Sequence, residues 1–113
     1  MSWDVHVSEQ AENDLRAIFS YIAFELTSVK NASDQLDRLE AGISALDQFP
    51  FRYRRYEVAP WDQRGARYFS IDNYCVFYIP MEEEGIVEIV RVLYAGRDMD
   101  RVMTEEASAN PEA

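Results

Sequence analysis

The sequence predicts an α+β domain: an N-terminal strand, an antiparallel two-helix hairpin, then a three-stranded antiparallel meander, with the helices packed on one face of a four-stranded sheet. Three observations predict it. Residues 2–7 alternate in hydropathy; residues 9–49 carry apolar side chains at helical spacing; and residues 67–95 hold three β-branched and aromatic runs separated by turn residues.

The elements follow in chain order. In SWDVHV, Trp3, Val5 and Val7 alternate with Asp4 and His6, a short strand with one buried face and His6 on the solvent side. Ser8 offers a hydroxyl as an N-cap, and Glu9 and Glu12 suit the positive end of a helix. Ala11, Leu15, Ile18, Phe19, Ile22 and Leu26 then share one helical face, which predicts a helix over 9–27. TSVKN breaks the pattern. Ala32, Leu36, Leu39, Ile43 and Leu46 predict a second helix over 31–49, stopped by Pro50. The short link predicts an antiparallel hairpin.

Residues 50–65, PFRYRRYEVAPWDQRG, have two further breaks in Pro60 and Gly65 and read as irregular. Strands follow at 67–71, 74–79 and 86–95, with Asp72-Asn73 and Glu82–Gly85 as turns. A two-helix crossover allows the first strand to lie parallel to the last. The hairpin then covers one sheet face, leaving the other to water or a partner. Residues 98–103 add a helical turn, so the domain spans 1–103, and 104–113 form an acidic mobile tail.

The charge narrows the function. The net charge of −10 argues against a generic nucleic-acid binder. Its distribution is uneven. Residues 1–50 hold nine acids and three bases, consistent with a solvated acidic helix surface, whereas residues 51–80 hold five arginines and three acids. One cysteine, Cys75, and one histidine, His6, supply neither a disulfide nor a cysteine- or histidine-based metal site. No run approaches the roughly 20 apolar residues of a membrane span, and the N-terminus lacks the features of a secretory signal. The expectation is a cytoplasmic protein with no cofactor, no metal and no membrane partner.

Two constellations carry chemistry. In the first, Arg52, Arg54, Arg55 and Arg64 interleave with Phe51, Tyr53, Tyr56 and Trp61. Guanidinium groups that pair with phosphate and rings that stack on bases suit RNA. The same residues also suit sealing the end of the hairpin, arginine stems lying on aromatic faces. The second is Arg67, Arg91, Tyr94 and Arg97, at strand ends that a sheet brings within reach of one another. These cations either converge on one patch or pair with the chain's many carboxylates. RNA cleavage by its own 2′-hydroxyl needs positioned cations and a proton acceptor and donor. Tyr94 is the nearest candidate, and an ordinary tyrosine pKa of about 10 makes it a poor base unless arginines lower it. Lys30 and His6 lie in other segments, and Glu82–Glu84 sit on a turn.

The ordered pieces VHVSEQAENDLRAIFSYIAFEL, LDRLEAGISALDQFPFRYR, RYFSIDNYCVFYI and VRVLYAGRD together make a chain that resembles the RelE/ParE superfamily, toxins of type II toxin–antitoxin modules. The resemblance spans about residues 3–103. It implies the fold derived above and a cognate antitoxin whose tail folds onto the toxin in a hetero-oligomer. It implies one of two activities: ribosome-dependent mRNA cleavage, as in RelE-like members, or non-catalytic inhibition of DNA gyrase, as in ParE-like members. For cleavage, which is the leading expectation, Arg67, Arg91, Arg97 and Tyr94 match the catalytic positions and Arg52, Arg54, Arg55 and Arg64 grip RNA. A domain that only binds its antitoxin is the third alternative.

Overall fold

A computed structural model describes residues 2–96 and 98–109. The strands are β1 (Asp4–Val7), β2 (Arg54–Arg55), β3 (Arg67–Ile71), β4 (Tyr74–Met81) and β5 (Ile86–Tyr94). The helices are α1 (Glu9–Ser20), α2 (Val29–Ser44), α3 (Trp61–Arg64) and α4 (Met99–Ala109). The sheet runs β1-β5-β4-β3-β2. β1 is parallel to β5 and the other neighbours are antiparallel. The expected meander and parallel first strand are present, and the two-residue β2 adds a fifth strand at the arginine-bearing edge.

Ser8 caps α1 by accepting from the amide of Ala11, and Ser28 caps α2 by accepting from that of Asn31. The hairpin packs Ile18, Ile22, Leu39 and Leu46 against Val76, Tyr78, Val87 and Ile89. Gly42 lets α2 approach β3: a Cβ there would lie 2.2 Å from Ile71 Cδ1. The first helix is not uniform to residue 27. Residues Tyr21–Glu25 form a π-helical turn, closed by the Leu26 amide on the Tyr21 carbonyl. The wider turn holds one extra residue and shifts the phase of the apolar stripe. Leu26, expected on the buried face, is 55% exposed.

The second sheet face is not left to solvent. Trp61 of α3 and Met103 and Ala107 of α4 pack on Cys75, Phe77 and Leu93. The run Tyr74–Ile79 is therefore buried without alternation, as in a strand covered on both sides. Trp61 donates its indole N–H to the Met103 carbonyl at 2.8 Å, and the Tyr56 hydroxyl donates to Asp100. The expected mobile tail differs accordingly: residues 104–109 continue α4, with Glu106 and Ala107 buried. Residues 110–113 of that expectation lie outside the described residues.

β5 contains a bulge. Phe77 pairs with Arg91 and Tyr78 with Ile89, which leaves Val90 as the extra residue. Val87 and Ile89 thus point to the hairpin, while Arg91, in register with Phe77, belongs to the α4 side. β1 ends against Ile89, and the exposed edge of β5 beyond it is satisfied by α1. The Ser8 amide and hydroxyl donate to the Ile89 and Val90 carbonyls, and Asp14 accepts from the Val92 amide at 2.9 Å.

Candidate functional site

Arg91 is the most heavily engaged of the sequence-predicted residues. Its Nε and Nη2 donate to the two oxygens of Asp14 at 2.7 and 2.8 Å, and its Nη1 donates to Glu106 at 3.1 Å. The Arg91 side chain is 19% exposed, and those of Asp14 and Glu106 are 13% and 5% exposed. Two acids on one base give the cluster a formal charge of −1. It joins α1, β5 and α4, and the fork-on-fork geometry is the strongest form of this contact.

Arg67 and Arg91 lie on opposite faces. Arg67 is in register with Tyr78, on the hairpin side; Arg91 is in register with Phe77, on the other. Arg67 donates to the carbonyls of Phe51 and Tyr53 at 3.1 and 2.6 Å, with its guanidinium carbon 5.2 Å from the Phe51 ring centroid. It ties down the loop after α2. Tyr94 shares the hairpin face but pairs with Tyr74, four residues along β4 from Tyr78, a displacement of about 13 Å along the strand. The sheet therefore separates Arg67 from Arg91 and from Tyr94, whereas Arg91 and Tyr94 border one cleft. Arg97 lies outside the described residues.

Tyr94 is half-exposed and stands edge-on to Tyr74 at 5.8 Å. Burial, with the neighbouring tyrosines as smaller causes, raises the pKa of the Tyr74 hydroxyl. Tyr94 also sits against Gly96, where a Cβ would meet its Cε2 at 2.5 Å. It borders a cleft of about 900 Å³ between the hairpin and the end of β5, lined among others by Asp14, Tyr21, Leu26, Arg38 and Arg91. On the far wall Arg38 pairs with Asp72 at 2.7 Å. The Arg38 hydrogen bond, then that of Gln35, holds the Asp72 carboxyl below the usual range. At the hairpin tip beside the cleft, Tyr21, Phe24, Leu26 and Val29 are each more than half exposed.

The arginine–aromatic run divides in two. Arg52 donates to the Gln48 and Phe49 carbonyls at the end of α2 and lies over Tyr53 at 4.8 Å. It seals the hairpin end, the structural alternative for this run. Arg54 and Arg55 form the exposed edge strand β2. Arg54 stacks over Tyr68 at 5.6 Å and Arg55 donates to the Asp62 carbonyl at 3.1 Å. Arg64 lies over Trp61 at 4.9 Å.

Sequence reasoning missed Asp14, Glu106 and the exposed tip. Asp14 looks like one more acid on a helix surface, and Glu106 sits in a stretch without a clear apolar period. The tip residues Tyr21 and Phe24 lay off the predicted buried stripe, which was a legible sign of an apolar surface. Among the described residues no His, Cys, Asp and Glu side chains gather as a metal site, and no helix is long and apolar enough to cross a membrane.

Residues 5–99 match the family described as ParE toxin of type II toxin-antitoxin system, parDE. The chain belongs to that family, and so to the RelE/ParE superfamily of toxins. No curated relative is found by sequence comparison. Among solved structures, it is similar to the chromosomal ParDE toxin–antitoxin system of P. aeruginosa, with a TM-score of 0.69 and 16% identity over 82% of this chain and 96% of that one. It is similar also to an arginine-substituted mutant of the E. coli toxin RelE in the free state, with a TM-score of 0.63 and 15% identity over 96% and 98% of the two chains. A third likeness is to the RelBE2 toxin–antitoxin complex of Mycobacterium tuberculosis, with a TM-score of 0.55 and 20% identity over 83% and 92%. These likenesses establish the fold.

Proposed function

We propose that this toxin arrests growth as a non-catalytic inhibitor of DNA gyrase, in the manner of the ParE branch, and is held inactive in a hetero-oligomer with a cognate antitoxin. Both gyrase and the alternative target, the mRNA-loaded ribosome, would put its action in the cytoplasm. One observation carries the reading: Arg91, one of the three cations of the nuclease assignment, is neutralised by Asp14 and Glu106 within the chain. A cluster with a formal charge of −1 repels a scissile phosphate. Arg67 is committed to backbone carbonyls on the other face. Cleavage needs cations and proton-transfer groups around one phosphorus atom. Arg91 and Tyr94 border one cleft, but Arg67 lies on the other face from Arg91 and about 13 Å along the strand from Tyr94, which speaks against that. The exposed apolar tip at Tyr21, Phe24, Leu26 and Val29 beside the cleft supports a protein-binding role.

The test uses the purified chain in two assays. It is expected to inhibit gyrase-catalysed supercoiling and to leave ribosome-bound mRNA intact. New 5′ ends within codons of that mRNA, lost in Tyr94→Phe, would overturn the reading in favour of the nuclease.

A further inference from the structure

A second groove runs along the outer seam between α1 and α2. It has a volume of about 510 Å³ and shares no lining residue with the cleft beside Tyr94. Its apolar floor is built by Leu15, Phe19, Leu36 and Ile43, and Glu12 and Glu40 stand on its two sides with Arg16. On α1, residues 12, 15, 16 and 19 follow the i, i+3, i+4, i+7 spacing of one face; on α2, residues 36, 40 and 43 do the same. The floor is long enough for about two turns of a guest helix.

The rim is net negative, with Arg16 as the cation among its lining residues. Glu9 lies one turn before Glu12 on α1, and Asp37 one turn before Glu40 on α2; all four are exposed. None of them takes part in an ion pair among the described residues. Arg16, the cation at the groove, donates to Asn13 at 2.6 Å. Elsewhere on the hairpin Lys30 is held by Asp34 and Arg38 by Asp72. Glu9 and Glu12 have a structural reason to be where they are, the positive end of α1. Asp37 and Glu40 have none: they sit in the middle of α2, where like charges one turn apart are mildly destabilising.

We infer that this seam is a docking site for a basic amphipathic helix of a partner protein. The guest would lay an apolar i, i+4 stripe on Leu15, Phe19 and Leu36 and set flanking lysines or arginines against Glu12 and Glu40. The chain's own C-terminal helix is already engaged, because Met103 and Ala107 hold it against the opposite sheet face. This inference concerns a surface separate from the cleft and holds for either toxin target.

The test is fluorescence anisotropy on the full chain, with a labelled synthetic helical peptide of about 15 residues. The peptide has a leucine stripe flanked by lysine and arginine; a matched peptide carries glutamate at every basic position. The basic peptide is expected to bind at least about tenfold more tightly, and Glu12→Lys/Glu40→Lys is expected to reverse that order. The equal charge change at a distance, Glu83→Lys/Glu84→Lys on the β4–β5 turn, is expected to preserve it. Equal loss in both double variants would reduce the effect to general attraction and overturn the inference. So would undiminished binding of a basic peptide whose leucines are replaced by serine, or no binding of the basic peptide at all. A wild-type dimer in sedimentation that Glu12→Lys/Glu40→Lys dissociates would assign the groove to a second copy instead.

Discussion

Asp14 holds Arg91 through both carboxylate oxygens and, through one of them, also accepts the Val92 amide. One side chain of α1 thereby orients the guanidinium and completes the hydrogen bonding of β5 where β1 has ended. The contact is local electrostatics with a global effect. It fixes the angle of α1 on the sheet, and with Glu106 it pins α4 to the opposite side. Arg91, one of the three arginines expected to hold phosphate, is a polar joint between α1, β5 and α4.

Asp14→Ala should therefore damage the fold rather than only a surface. It leaves Arg91 with one partner and the Val92 amide with none, and breaking one side of such a mostly buried pair costs about 3 kcal/mol. The expected result in urea unfolding is a free energy of unfolding lower by that amount, read as a lower midpoint at unchanged m-value. Replacing all three partners, as Asp14→Leu with Arg91→Met and Glu106→Leu, should recover part of the loss, because no charge is then stranded. A loss below about 0.5 kcal/mol in Asp14→Ala would show that the joint is not structural.

α4 should behave as an integral part of the domain. Trp61→Phe removes the five-membered ring together with its donor to the Met103 carbonyl and leaves a small cavity at a fully buried site, with an expected cost of about 2–4 kcal/mol. Met103→Ala, which empties a fully buried position, should cost about 2–5 kcal/mol. In hydrogen exchange the amides of residues 103–107 should be protected in the wild type and lose protection in Trp61→Phe. Exchange of these amides at the rate of an unstructured peptide in the wild type would return the segment to a tail.

The π-helical turn gives a contrast within one predicted stripe. Leu39→Ala, at a fully buried site, should cost about 2–5 kcal/mol. Leu26→Ser, at a position that the same periodicity assigns to the core, should change stability by less than about 0.5 kcal/mol. Chemical unfolding of the two variants checks this, and a comparable loss in both would mean that Leu26 is buried after all.

These elements also mark what the sequence could and could not disclose. The hairpin, the meander and the parallel first strand were legible because Ile18, Leu39 and Val76 obey simple periods. The π turn and the bulge at Val90 were not, since each inserts one residue into a period and the pattern on either side still looks regular. That is why alternation along β5 could not assign the face of Arg91. α4 was obscured because its inward positions include Ala107 and Glu106, small and charged, and Glu106 is buried only by virtue of Arg91. The roles of Arg52 and Arg67 depend on carbonyl acceptors presented by a loop that composition describes only as irregular.

Alkaline pH should unfold the protein through groups buried in neutral form. Burial pushes the Tyr78 hydroxyl, which donates to the Pro50 carbonyl at 2.7 Å, up to about 12. It pushes the Cys75 thiol up to about 11. Both pKa values are raised above the unfolded ones, so their contribution is fully present below the unfolded pKa and is lost as pH rises through the folded one. The window runs from about pH 9 to 11 for Cys75 and from about pH 10 to 12 for Tyr78, with a loss on the order of 2 kcal/mol or more for each. Urea midpoints should be flat from pH 7 to 9 and then fall. Tyr78→Phe should start about 1 kcal/mol less stable, from the lost hydrogen bond, and fall less steeply between pH 10 and 12. The native Cys75 thiol should stay unreactive toward Ellman's reagent at pH 8. Reaction there at the rate of a free cysteine, or an alkaline slope unchanged by Tyr78→Phe, would show that these groups are not shielded by the two packed layers around β4.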